Sequence, residues 1–103
     1  MSDTASGSAV LTNEVGLHAR PSVKLTQLAK SFGCAVEIAL GPDGPWFDAK
    51  SPVKMMRVRA AKGSTLFIRA TGEGAGKAVA AIVGLVEDRF GEDEPAGSAT
   101  AHA

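Results

Sequence analysis

Two short segments, residues 35–40 (AVEIAL) and 65–70 (TLFIRA), alternate in a period of two. In the first, Val36, Ile38 and Leu40 alternate with Glu37 and Ala39. In the second, Leu66, Ile68 and Ala70 alternate with Thr65, Phe67 and Arg69. That period belongs to strands with one buried face. A stretch of helical period comes before the first and another after the second. Pro21, Leu25, Leu28, Ala29 and Phe32 make one apolar stripe. Ala75, Val79, Ile82, Val83, Val86 and Phe90 make another, in a helix read from about Gly74 to Phe90. A chain of 103 residues fits one domain. Half-buried strands with one-striped helices predict an antiparallel sheet covered by helices on one side.

The remaining elements follow from local chemistry. Val10 and Leu11 mark a short first strand, broken by Gly16. Gly33 and Gly91 stand where the long helices should stop. Gly41-Pro42-Asp43-Gly44 is a turn by composition, and residues 45–49 return as a short edge strand that starts at Pro45. Ser51-Pro52 reads as an N-cap followed by proline at the first helical position. Val53, Met55, Met56 and Val58 continue that short helix. Residues 1–8 are small and polar, and residues 92–103 start acidic and end small. Both are expected to be mobile, which leaves residues 9–91 as the domain.

Charge and composition exclude several function classes. Lys plus Arg and Asp plus Glu each number 11, so the net charge is zero and nucleic acid is not the expected partner. No apolar run is long enough to insert in a membrane. The N-terminus does not read as a signal peptide. The single cysteine, Cys34, excludes an internal disulfide and fits the cytoplasm. It reads as a small buried filler. Gly72, Gly74 and Gly76 lack the lysine and serine of a phosphate loop and read as a strand-to-helix turn. No cluster of metal ligands stands out, and no cofactor is implied.

The segment Gly16-Leu17-His18-Ala19-Arg20-Pro21 concentrates the chemistry. A lone histidine before a helix is often only a cap. Here, however, a helix N-terminus offers free amides and a partial positive charge, which suit a phosphate. The same positive end disfavours imidazolium and leaves a neutral nitrogen free to attack. Arg20 adds a permanent cation that can hydrogen-bond phosphate oxygens. Together they suit a transient phosphohistidine.

GLHARP, its helix and the later Lys50-Ser51 segment resemble the HPr family, the histidine phosphocarriers of the bacterial phosphoenolpyruvate-dependent phosphotransferase system. The resemblance covers about residues 9–91. It implies an α+β fold, an open-faced β-sandwich with a four-stranded antiparallel sheet and three helices on one face. It implies that His18 takes a phosphoryl group from phosphorylated Enzyme I and passes it to a IIA-type domain, with Arg20 holding the phosphate. Pro21 would fix the first turn, and Val53 and Met56 would contact partners. Such a protein is a carrier rather than a stand-alone enzyme, here expected to be a monomer in the cytoplasm. Ser51 matches the serine that HPr kinase phosphorylates in many members, but Pro52 and Lys54 depart from the usual pattern there. Ser51 therefore reads equally as a regulatory site or as an N-cap. The departures also suggest a carrier for a regulatory or dihydroxyacetone-kinase branch in place of sugar transport. The alternative function is a regulatory module whose phosphorylation state, at His18 or Ser51, controls a kinase or transcription regulator. A domain that kept the fold but lost the chemistry ranks below both, because His18 is present.

Overall fold

The computed structural model describes residues 4–12 and 19–91. The order is β1 (Thr4–Val10), α1 (Ala19–Lys30), β2 (Ala35–Ala39), β3 (Phe47–Asp48), α2 (Pro52–Val58), β4 (Thr65–Thr71), α3 (Ala75–Glu87) and a closing 3-10 turn (Arg89–Gly91). The strands form one antiparallel sheet in the order β1-β4-β2-β3. Its inner face carries Val36, Ile38, Leu66, Ile68 and Ala70. These pack against Leu25 and Ala29 of α1, Met55 and Val58 of α2, and Val79, Ile82 and Val86 of α3. This is the open-faced α+β sandwich that the alternation and the helical stripes predict.

β1 is longer than the sequence suggests. Residues 4–8, expected in a mobile terminus, pair with β4 from Thr4↔Thr71 to Ser8↔Phe67, so the domain begins at Thr4 rather than at residue 9. The inner positions are small because α3 lies close. A Cβ on Gly7 would stand 3.0 Å from Val79 Cγ1. Leu11, just beyond the strand, is buried and donates its N–H to the Ser64 carbonyl at 2.8 Å.

Two further boundaries move. Leu40 lies past the end of β2 and is exposed, while Ala39 is buried opposite Phe67. α3 stops at Glu87, and Phe90 reaches the core from the 3-10 turn with a φ of 57°, next to Arg89 at 55°. Left-handed backbone costs about 1–2 kcal/mol per non-glycine residue. Full burial of a phenylalanine contributes about 1.5–3 kcal/mol, and the Phe90 carbonyl accepts a hydrogen bond from Lys24 Nζ at 2.6 Å. The tail from residue 92 lies outside the described residues.

The face of the sheet away from the helices is not bare. Phe67, Arg69, Trp46 and Pro42 line a groove with Thr4, Ser6 and Ser8. The Arg69 guanidinium stacks 4.1 Å from the centre of the Trp46 ring, and its Nε donates to Glu37 at 2.7 Å. Trp46 therefore covers this open face, and Phe67 has an aromatic neighbour across the groove. Phe47, on the inner side, packs against the core. Cys34 is buried, and a Cβ on Gly72 would meet its Cβ at 3.2 Å. The glycines at 72 and 74, with φ of 119° and 85°, make the turn into α3.

Candidate functional site

α1 begins at Ala19, directly after the GLH of the motif. His18 itself lies outside the described residues, with residues 13–17. Of its neighbours, Arg20 is exposed in the first turn of α1, while Pro21 and Ser22 are buried. Proline suits that turn because the first amides of a helix have no intrahelical acceptor. Burial of Pro21 anchors the turn to the body of the domain and leaves the Arg20 guanidinium facing solvent. Lys24, one helical turn after Arg20, is committed to the Phe90 carbonyl.

α2 follows its sequence signals closely. Ser51 is extended, with φ of −105° and ψ of 112°, and its Oγ accepts from the Lys54 N–H at 3.3 Å. Pro52 opens the helix, and Arg59 closes it in left-handed conformation at φ 53°. Met55 is buried and belongs to the core, while Val53 and Met56 are 56% and 41% exposed. Spaced by three residues, they share one helix face. Val23 on the adjoining α1 is 43% exposed. Sequence reasoning missed it, although it falls outside the apolar stripe of α1, and an apolar residue out of phase is the available signal. Lys54, Arg57 and Arg59 are exposed around the α2 pair.

Ser51 and Arg20 lie at different ends of α1. Lys50 Nζ donates to the Phe32 carbonyl at 2.9 Å, so α2 starts beside the C-terminal end of α1. α1 has 12 residues, about 18 Å of helix. Ser51 therefore stands near the opposite end of α1 from Arg20. Lys30, in the last turn of α1, sits at that far end too. Ser22 and Thr26 were also unforeseen. Both hydroxyls are buried on α1 without a hydrogen-bond partner. Among the described residues no group of three His, Cys, Asp or Glu side chains could hold a metal ion. No described helix is long and apolar enough to cross a membrane.

The domain is an open-faced sandwich with an arginine exposed in the first turn of α1 and an apolar pair exposed on α2. Residues 5–88 match the family model described as PTS HPr component phosphorylation site. The chain is 39% identical over 84 residues to phosphocarrier protein HPr of Cupriavidus necator, covering 82% of this chain and 92% of that protein. It is 34% identical over 83 residues to phosphocarrier protein NPr of Escherichia coli, covering 81% and 91%. Among solved structures, HPr-C-His from Thermoanaerobacter tengcongensis matches with a TM-score of 0.79 at 29% identity, covering 87% of this chain and 99% of that one. The chain belongs to the HPr family, the phosphocarriers of the phosphotransferase system.

Proposed function

We propose that this chain accepts a phosphoryl group on His18 Nδ1 from phosphorylated Enzyme I and hands it to a IIA-type domain. The reading is carried by the position of Arg20, exposed in the first turn of α1 two residues after His18. In each transfer the acceptor nitrogen forms a bond to phosphorus as the bond to the donor nitrogen breaks. The donor histidine leaves with the electron pair, so no water or metal enters the balance. The free amides of the first turn of α1 and the Arg20 guanidinium would hold the phosphoryl oxygens in flight. Pro21 holds the turn, and Val53 and Met56 contact the partner. Methionine suits successive partners because its side chain adapts its shape. A cytoplasmic location goes with this reading.

Ser51 has a capping role in α2 whether or not a kinase modifies it. A phosphate there would displace the cap at the end of α1 remote from Arg20 and would act on docking rather than on the transfer chemistry. Pro52 and Lys54 on the same helix favour partners other than those of a general sugar-uptake carrier.

The test is incubation with phosphoenolpyruvate, magnesium and Enzyme I, read by intact mass. One acid-labile phosphate that disappears in His18→Ala is expected. Equal labelling of His18→Ala would overturn the reading.

A further inference from the structure

The open face of the sheet carries two cross-strand rows. Phe67 pairs with Ser8 of β1 on one side and with Ala39 of β2 on the other, and Arg69 pairs with Ser6 and Glu37 in the same way. Ala39 is fully buried although it lies on this face, so side chains stand over the sheet beside Phe67. The turn before β3 brings Trp46 there. Gly44 has a φ of 90°, and a Cβ on it would come within 2.8 Å of Trp46 Cδ1, so the indole folds back over a position that leaves no room for a side chain. The result is a groove of about 390 Å³, with Phe67 in its floor, Trp46 and Pro42 on one bank and the β1 hydroxyls on the other. That volume lies within the range of small-molecule sites.

Among the described residues, Arg69 alone brings charge to the lining. Two contacts fix its guanidinium. Nε donates to Glu37 at 2.7 Å, and the group lies 4.1 Å from the centre of the Trp46 ring. Its two terminal nitrogens have no hydrogen-bond partner among the described residues, and the side chain is 41% exposed, so a ligand reaches them without displacing protein. That planar fork matches a carboxylate in two parallel bonds. Because stacking and the Glu37 bond already hold the side chain, little rotamer freedom is left to lose on binding. Glu37, with Asp48 opposite it on β3, makes the surroundings negative. That field acts against the double charge of a phosphate and favours a single carboxylate.

We propose that the groove binds a small aromatic carboxylate, its ring on Phe67 beside Trp46 and its carboxylate on the terminal nitrogens of Arg69. Phe67 and Arg69 share one face of β4, about 7 Å apart along the strand, so a short linker joins ring to carboxylate. Ser6, opposite Arg69, adds a hydroxyl at the carboxylate end. The groove lies on the face away from the helices, apart from Arg20, Val53 and Met56. The ligand site and the transfer site are therefore independent, and neither reading rests on the other.

Trp46 is the only tryptophan, so its fluorescence reads the groove. Titration of the full chain with 3-phenylpropionate at constant ionic strength should saturate with a dissociation constant of about 1 mM. 3-Phenylpropanol has the same shape without the charge and should bind at least about tenfold more weakly. That comparison needs no variant. Arg69→Gln, with an unchanged far-UV spectrum, should weaken the carboxylate by a similar factor. Amide NMR shifts should centre on Ser6, Phe67 and Arg69. No saturation up to about 20 mM would overturn the proposal. Equal affinity for acid and alcohol, shifts centred on Val53 and Met56, or tighter binding of phenyl phosphate than of the carboxylate would overturn it too.

Discussion

Lys24 Nζ donates to the Phe90 carbonyl at 2.6 Å across 66 positions of sequence. One bond thus ties the second turn of α1 to the C-terminal turn and holds the start of α1 against the body of the domain. It also removes Lys24 from the set of cations available to a phosphate and leaves Arg20 to that role. Lys24→Met keeps most of the stem and loses the bond. It is expected to cost about 1–2 kcal/mol in denaturant unfolding. A midpoint equal to the parent's would contradict the pinning role.

Arg20→Ala should separate chemistry from stability. The side chain is exposed, so the unfolding free energy should change by less than about 0.5 kcal/mol. A lost charge-assisted hydrogen bond to the phosphoryl group should slow transfer from Enzyme I by roughly 10- to 100-fold. Urea unfolding and rapid-quench kinetics on the two proteins check the two halves.

Met55 and Met56 are neighbours with opposite duties. Met55→Ala empties a fully buried site and should destabilise by about 2–5 kcal/mol. Met56→Glu should leave stability within about 0.5 kcal/mol but raise the apparent KM of Enzyme I for this chain by roughly tenfold, an expected loss of about 1–2 kcal/mol of apolar contact. Thermal melts and steady-state phosphorylation distinguish the two.

Thr26→Val should stabilise. The Thr26 hydroxyl is buried without a partner, and burial of an unpaired hydroxyl costs about 1–3 kcal/mol. Valine has nearly the same shape. A gain of about 1 kcal/mol by urea unfolding is expected, and a loss of that size would point to a partner for the hydroxyl.

The sequence made some of this legible and hid the rest for physical reasons. Ser51-Pro52 announced α2 because a cap and a first-turn proline are local chemistry, and the structure reproduces both. β4 and most of β2 were readable because large apolar residues alternate with polar ones. β1 was not, because α3 lies so close that only Ala5, Gly7 and Ala9 fit its inner face. An alternation of small with polar residues looks like a loose terminus. Phe90 continued the helical period of α3 yet enters the core from left-handed backbone, since burial of the ring and the bond from Lys24 outweigh the helix. The motif at the candidate site was legible as chemistry. The positions of Arg20, Lys24 and Ser51 relative to one another depend on how α2 and the C-terminal turn pack on α1, which local pattern does not encode.

The central claim is that His18 carries the phosphoryl group. Phosphorus and nitrogen NMR of the chain after reaction with phosphoenolpyruvate and Enzyme I test it most directly. The account predicts a single phosphoramidate resonance with nitrogen shifts that place the phosphate on Nδ1 of His18. A phosphate on Nε2, on His102 or on a serine would contradict it.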